Sequence, residues 1–375
     1  MHLHTLSLLN FKNCKEVNIA FSPNVNCFAG NNGQGKTNLL DAIYYLSFCK
    51  STFNTIDSQN ILHGETFFMI QGKYELNGEI EEVHCGVKKN QKKVFKRNKK
   101  EYEKLADHIG LFPLIMIAPE DIELVTGGSE VRRKFIDGLI SQFDKKYLYN
   151  LLEYQRALTQ RNSLLKHFSD KNIFDESAIE IWDEQLIEKG SYIYEKRKMT
   201  LEQLSPVFQQ YYETISQGKE MVALQYHSQL HQKKFRTLLK ESRQRDRMFQ
   251  YTSQGIHKDD LEFLLGDYPL KKLGSQGQQK TYLIALKLAQ YDFSKQITGQ
   301  SPILLLDDIF DKLDDSRVKQ IISMVISHNF GQIFITDVNA DRMKNILFNI
   351  GEREDFMLFE VINGETSPMP LSLKT

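Results

Sequence analysis

The eight residues Gly30-Asn31-Asn32-Gly33-Gln34-Gly35-Lys36-Thr37 fit the pattern G-x-x-x-x-G-K-[ST], and their neighbours are those the pattern requires. Val25-Asn26-Cys27-Phe28-Ala29, just before them, reads as a short buried strand. Leu39, Ile43 and Leu46, just after them, recur at helical spacing. Glycines let such a loop curl so that successive backbone N–H groups face one anion, and a helix starting at Lys36 adds the positive end of its dipole. Lys36 is then placed to reach the β- and γ-phosphates of a nucleoside triphosphate, and the Thr37 hydroxyl to hold one coordination position of Mg²⁺. A strand, this loop and a helix in that order open an α/β nucleotide domain.

The 375 residues allow two or three domains, and Lys+Arg and Asp+Glu balance at 48 each. No global field therefore draws the chain to nucleic acid or to a membrane, and any basic surface is local. No basic segment followed by a long apolar run opens the chain, and no apolar run is long enough to cross a bilayer. The expectation is a cytoplasmic protein without membrane association. Cys14, Cys27, Cys49 and Cys85 lack C-x-x-C spacing, which argues against a zinc site or a disulfide framework.

Three regions follow from the texture of the chain. Residues 1–128 carry strand patterns (Leu3, Leu6, Leu8; Val17, Ile19, Phe21), the phosphate loop, and an antiparallel meander between Phe67 and Lys100 with turns at Asn77-Gly78 and near Arg97-Asn98. Residues 129–248 read as an inserted helical lobe, with Phe135, Leu139, Leu148, Leu151, Leu152 and Leu158, then Trp182, Leu186 and Ile193, on helical periods. Its longer helices are expected to have roughly 25 to 35 residues, a stub of about 40 to 50 Å at most. Residues 249–375 return to α/β texture: a turn at Gly274-Ser275-Gln276-Gly277, a helix through Leu283, Leu286 and Ala289, the strand Ile303–Leu306, a helix near Ser316–Ser327, and the strand Gln332–Thr336. The two ends of the chain are expected to share one sheet.

The strand Ile303–Leu306 ends in Asp307-Asp308. Carboxylates at the carboxyl end of an apolar strand sit where an open α/β sheet places its chemistry. Asp307 suits the Mg²⁺ complex, and Asp308 suits orienting or deprotonating an attacking water. A solvated acidic loop is the competing reading, since Asp311, Asp314 and Asp315 follow. About thirty residues earlier, Ser275-Gln276-Gly277-Gln278-Gln279 begins a helix and is similar to the signature of ATP-binding-cassette ATPases. Alone it reads more readily as a helix cap. Ordered after the phosphate loop and before the acidic strand, it completes an ATPase set.

Leu9-Asn10-Phe11-Lys12-Asn13, Gly30–Asn38, Pro119-Glu120-Asp121, Arg132-Arg133-Lys134-Phe135-Ile136-Asp137, Gly255-Ile256-His257-Lys258-Asp259-Asp260-Leu261, the Ser275–Gln279 signature and the Asp307-Asp308 strand together resemble the RecF family of bacterial recombination mediators, within the SMC/ABC-like ATPases. The resemblance implies a P-loop ATPase head with a β-subdomain and an inserted helical lobe. It also implies ATP and Mg²⁺ as ligands, Lys12, Asn13 and Asn38 near the nucleotide, and Ser275, Gly277 and Gln278 acting in trans across an ATP-sandwiched homodimer. Asp311-Lys312-Leu313-Asp314 would cross that interface. Gly-Ile-His-Lys stands where the family usually has Gly-Pro-His-Arg, which exchanges a bidentate guanidinium for a point charge at Lys258. After Ile335 the chain has Thr336-Asp337 rather than a switch histidine, and no role is assigned there.

The family's activity, by the same resemblance, is slow, DNA-stimulated ATP hydrolysis serving ATP-gated binding of double-stranded DNA and gapped DNA junctions, with RecR and RecO, in helping RecA load on single-stranded DNA during gap repair, replication restart and the SOS response. Two basic runs suit phosphate neutralisation: Lys88, Lys89, Lys92, Lys93, Lys96, Arg97, Lys99 and Lys100, and Lys233, Lys234, Arg236, Lys240, Arg243, Arg245 and Arg247. Solvated faces are the alternative for both, and Arg132 and Arg133 can equally pair with carboxylates inside the lobe. The competing functional readings are the ATPase subunit of a transporter and another SMC-like clamp. Asp308 in place of glutamate, the lack of histidine in 333–337 and the long helical insert weigh against the transporter.

Overall fold

Leu3, Leu6 and Leu8 are all buried although the first two are three residues apart, and the computed structural model shows why. Strand β1 (His2–Phe11) pairs antiparallel with β2 (Cys14–Ala20) on one side and with β4 (Phe67–Leu76) on the other, and its register against β4 shifts between Leu3 and Thr5. The extra residue in this bulge re-aims the strand, so both leucines reach the same core. Residues 1–76, 78–216, 218, 220–309, 320–321, 324–325, 330–348 and 356–370 are described by the structure. Loop 311–314, most of the expected helix 316–327, and Asn77 lie outside the described residues.

Strands β5 (Glu79–Lys88), β6 (Val94–Arg97) and β7 (Lys100–Glu101) extend the first sheet in the order β2-β1-β4-β5-β6-β7. Asn98 and Lys99 both have positive φ, the two-residue hairpin geometry that matches strand twist. The second sheet gathers segments far apart in the chain. β3 (Val25–Ala29), β8 (Leu114–Ile117), β12 (Ile303–Leu306), β13 (Ile333–Asp337) and β14 (Phe356–Ile362) run parallel, with β15 (Glu365–Pro368) antiparallel at the edge, in the order β15-β14-β3-β13-β12-β8. Every residue of β3, β8, β12 and β13 is buried, as strands covered on both faces must be.

Helix α1 (Lys36–Phe48) touches strands of both sheets, which explains its all-round burial: Leu39, Leu40, Ala42, Ile43, Tyr45 and Leu46 are inaccessible. Phe21, Phe28, Phe334 and Phe359 meet beneath the second sheet with ring centroids 4.9 to 6.3 Å apart.

The chain divides into two compact units, Met1–Asp121 with Gln290–Thr375, and Ile122–Ala289. The second contains α2 (Glu123–Thr126), α3 (Ser129–Phe143), α4 (Lys145–Lys171), α5 (Glu176–Ser216), α6 (Phe235–Phe249), α7 (Leu270–Leu273) and the start of α8 (Gln276–Thr298). Asp144 caps α4 by accepting from the Tyr147 N–H at 2.8 Å, and Asp175 caps α5 through the Ala178 N–H at 3.0 Å.

At 41 residues α5 is longer than any helix anticipated for the lobe, about 60 Å at 1.5 Å per residue. It begins at the Asp175 cap, and it continues through Pro206 because Leu201, Leu204, Phe208, Tyr211, Tyr212 and Ile215 keep one buried face beyond the missing N–H. Residues 249–289, grouped by sequence texture with the C-terminal part of the head, belong here to the helical unit. Strand β10 (Asp260–Leu265) finds its partners in β9 (Val222–His227) and β11 (Tyr268–Pro269), a three-stranded antiparallel sheet of the same unit.

Candidate functional site

Three neighbouring parallel strands, β3, β13 and β12, end side by side, and their ends carry Gly30, Thr336-Asp337 and Asp307-Asp308. The phosphate loop leaves β3 with its Gly30 N–H donating to the Asp337 carbonyl at 3.2 Å. At Gly30 a Cβ would collide with the Val361 carbonyl of β14, so the strand spacing itself demands glycine. Gly35, at φ 110°, adopts a left-handed conformation that admits no side chain without strain. Asn31, Asn32 and Gly33 form the exposed crest of the loop. Lys36 turns back so that Nζ donates to the carbonyls of Gly30 (2.6 Å) and Asn31 (3.0 Å), which sets the ammonium inside the loop.

The loop is gripped from both sides by residues distant in sequence. Asn13, in the β1–β2 turn, donates through Nδ2 to the Gln34 carbonyl (3.1 Å) and accepts at Oδ1 from Asn38 Nδ2 (2.7 Å). On the other side the two-residue turn Asn363-Gly364 donates the Asn363 N–H to Gln34 Oε1 (2.6 Å) and the Gly364 N–H to the Gln34 carbonyl (2.8 Å). Gln34, a free position in the sequence pattern, is thus the strut of the loop. Lys12 lies one layer away: its ammonium meets Asp41 Oδ2 at 2.7 Å and the face of Phe53 at 4.9 Å, and Asp41 also accepts from Ser51 Oγ and the Thr52 N–H.

Thr37 and Asp307 meet across 270 residues, the threonine hydroxyl donating to Oδ1 at 3.0 Å. Thr336 donates to the same oxygen at 2.7 Å while its own oxygen accepts the Asp308 N–H at 2.9 Å. Asp307 is only 2 % exposed. Burial raises its pKa above the usual carboxylate range, the hydroxyls of Thr336 and Thr37 oppose the rise, and the charges of Glu120 and Asp308 add to it. Burial likewise lowers the Lys36 pKa, against the opposing pull of Asp308, Asp307 and Asp337. A threonine hydroxyl and a desolvated carboxylate at 3.0 Å form an oxygen donor set of the type Mg²⁺ takes alongside phosphate. Asp308 is half-buried, in the left-handed region at φ 43°, with its backbone tied to Thr336. Sequence reasoning gives Thr336 no role, although a polar residue closing an all-apolar strand beside an acidic one is a readable signal.

The family-specific motifs cluster in the second unit as an ion network. Arg132 forks onto Asp260 (2.8 and 3.0 Å), and Arg133 donates to the Asp259 carbonyl at 2.6 Å. Arg197, 2 % exposed, joins Asp137 (2.9 and 3.0 Å) to Asp259 (3.0 Å), while Tyr226 donates to Asp259 at 2.5 Å. His257 bridges Tyr154 (2.8 Å) and the Thr252 carbonyl (3.0 Å). Ser275 caps α8 reciprocally: Ser275 Oγ accepts the Gln278 N–H (3.2 Å) and Gln278 Oε1 accepts the Ser275 N–H (2.8 Å), with Gly277 between them in the first turn.

The two basic runs fare differently. Lys88, Lys89, Lys92, Lys99 and Lys100 are exposed at the edge of the first sheet, whereas Lys93 is drawn inward to Asp57 (2.8 Å), Tyr45 OH and the Cys49 carbonyl, and Arg97 pairs with Glu81. In the second run Lys233 pairs with Glu241, Arg236 with Glu184, and Arg243 with Glu176 and Asp183.

The family model for the RecF/RecN/SMC N terminal domain matches residues 2–354. A DNA replication and repair protein RecF of Bacteroides fragilis is 52% identical over 370 residues, covering 98% of this chain and 99% of the relative. That of Phocaeicola vulgatus is 54% identical over 369 residues, covering 98% of each. A solved structure of the recombination mediator RecF with ATP, described as part of the RecFOR pathway, is 30% identical with a TM-score of 0.88 over 98% of both chains. An Smc head domain from Pyrococcus furiosus shares the fold at 17% identity and a TM-score of 0.56, covering 98% of this chain and 96% of that one. Matched over nearly its whole length in sequence and in fold, the chain belongs to the RecF family of DNA replication and repair proteins, with an SMC-like ATPase head.

Proposed function

We propose that the chain is an ATP-gated DNA-binding protein of gap repair, whose two copies close on ATP and reopen when it is slowly hydrolysed. The observation that carries this reading is the Thr37–Asp307 hydrogen bond, which joins the end of the phosphate loop to the acidic strand. Gly30–Thr37 would cradle the phosphates with Lys36 at the β- and γ-positions, and Asn13 and Asn38 would hold the loop in that shape. Lys12 acts through Asp41, keeping α1 aimed at the loop. Mg²⁺, held by Thr37 and Asp307, would neutralise charge on the phosphate oxygens. Asp308, oriented through Thr336, would align the attacking water.

Ser275, Gly277 and Gln278 would meet the γ-phosphate held by a second copy, because a helix start turns its first-turn N–H groups and the positive end of its dipole toward an anion. Nucleotide that contacts both copies couples ATP binding to dimerisation by mass action. The exposed lysines of the first sheet suit binding of double-stranded DNA without base reading. Family membership favours action with RecR and RecO in RecA loading at gapped DNA over the transporter reading.

Light scattering with and without Mg-ATP tests the core of this, with Asp308→Asn to suppress turnover and a gapped duplex as the second variable. A mass that doubles with ATP and a dimer that tightens on DNA are expected. A mass indifferent to both would end the proposal.

A further inference from the structure

His2 and His4 stand two residues apart on β1, and Glu75 of β4 lies directly opposite His2 in the register. The bulge at Leu3–Thr5 brings the second imidazole alongside the first, with ring centroids 4.1 Å apart. Both Nε2 atoms face one carboxylate oxygen: Glu75 Oε2 is 3.1 Å from His4 and 3.9 Å from His2, and the three ligand atoms lie within 4.8 Å of one another. Zinc bonds of about 2.0 to 2.2 Å to nitrogen and oxygen place neighbouring tetrahedral donors about 3.4 Å apart, so the observed spacing brackets that of a bound ion.

The backbone beneath the cluster is fixed independently of it. Leu3, between the two histidines, donates its N–H to Gln332 Oε1 (2.6 Å) and accepts from Gln332 Nε2 (2.8 Å), and the His4 carbonyl accepts the Phe21 N–H (2.8 Å). Gln332 is buried just before β13, so a core side chain takes over hydrogen bonds that the bulge removes from the strand ladder. The side chains themselves are half-exposed, at 20%, 38% and 40% for His2, His4 and Glu75. An ion could therefore enter without unfolding, and three donors leave a position for water.

We propose that His2, His4 and Glu75 form a surface binding site for a divalent first-row transition ion of borderline softness, with Zn²⁺ as the reference ion, distinct from the phosphate-loop site. Two imidazoles and a carboxylate select such ions over Mg²⁺, which prefers oxygen ligands. Bound there, the ion clasps β1 to β4 at the end of β1 opposite the Lys12-Asn13 turn.

The test is titration of Zn²⁺ into untagged full-length protein against a fluorescent zinc indicator, repeated for His4→Ala and Glu75→Gln. One ion per chain is expected, with affinity weakened at least about tenfold in each variant. Equal binding by wild type and both variants, or no stoichiometric uptake, overturns the site. Zinc-edge X-ray absorption of the loaded wild-type protein needs no variant: two imidazoles with oxygen support the assignment, and sulfur or imidazole-free ligation refutes it.

Discussion

The Thr336 hydroxyl donates to Asp307 Oδ1 at 2.7 Å and accepts the Asp308 N–H at 2.9 Å, so one side chain anchors the carboxylate of the first aspartate and the backbone of the second. Thr336→Val keeps the volume and removes both bonds. ATP hydrolysis is expected to fall about tenfold or more, consistent with about 1.5 to 3 kcal/mol for a hydrogen bond to a charged group, while Thr336→Ser retains most of it. Single-turnover hydrolysis of labelled ATP reads the effect. Wild-type turnover in the valine variant would show that Asp308 is oriented otherwise.

Asn13→Ala removes one side chain from between Gln34 and Asn38. Gly364→Ala acts from the other side, since its Cβ would strike the Asn13 carbonyl at a residue with φ 83°. Both variants should bind nucleotide at least about fivefold more weakly, a loss of about 1 kcal/mol, the net worth of one such hydrogen bond. Titration with a fluorescent ATP analogue, alongside melting to confirm a folded chain, measures it. Undiminished affinity in both would remove Gln34 as the strut.

Stability should fall as pH drops below neutrality, and His257 should account for part of the slope. Burial holds its pKa at about 4 against 6.5 in the unfolded chain. The unfolded state therefore takes up a proton first, and the stabilisation present above pH 6.5 is lost progressively down to about 4. At 1.36 kcal/mol per pH unit the span is worth up to about 3 kcal/mol. Denaturant melts of wild type and His257→Gln between pH 7 and 4 should converge on acidification; parallel curves would assign the slope to other groups.

Ser275→Arg places a long cation where a hydroxyl caps α8. Nucleotide binding to the monomer should persist while the ATP-dependent increase in mass disappears, with about 1 kcal/mol of stability lost with the cap. Sedimentation of the variant with Asp308→Asn and Mg-ATP separates these effects. Normal dimerisation would exclude the signature from the interface.

Lys93 and Lys92 are neighbours with opposite expectations. Replacing Lys88, Lys89 and Lys92 by alanine should weaken duplex DNA binding and lower the salt slope by up to about 3, one unit for each phosphate no longer neutralised. Lys93→Ala should instead destabilise the fold by about 2 kcal/mol, because its side chain is only 14% exposed and its ammonium is bonded to Asp57, Tyr45 and Cys49. DNA titrations at several salt concentrations and thermal melts distinguish them. A triple variant that binds DNA normally would move the interface elsewhere.

The parts of the site legible in sequence are those whose residue type is forced by local geometry. Gly35 must be glycine at φ 110°, and Asp307 directly follows an all-apolar strand that carries it to Thr37, so both announce themselves within a few residues. Gln34 cannot be read in this way, because its role depends on Asn13 and Asn363, remote in the chain and joined only by folding. The Arg197 network is hidden for a similar reason: its partners Asp137 and Asp259 lie 60 and 62 residues away, and a charged residue on a helical period looks the same whether it faces water or a buried carboxylate. Strand β9 alternates over only six residues, and its partner β10 lies more than thirty residues further on, so the pairing that groups residues 249–289 with the helices has no local signal.

The strut at Gln34 has a consequence for how this chain is made. Residues 13 and 34 emerge early from the ribosome, but the Asn363-Gly364 turn that completes their hydrogen bonding is more than three hundred residues behind. At about 5 to 20 residues per second, the phosphate loop waits on the order of half a minute for its last support. Residues 122–289 form a contiguous unit and can fold during that interval. Nucleotide competence is thus among the last properties the nascent chain acquires, so a partly synthesised copy has no finished cradle with which to capture ATP.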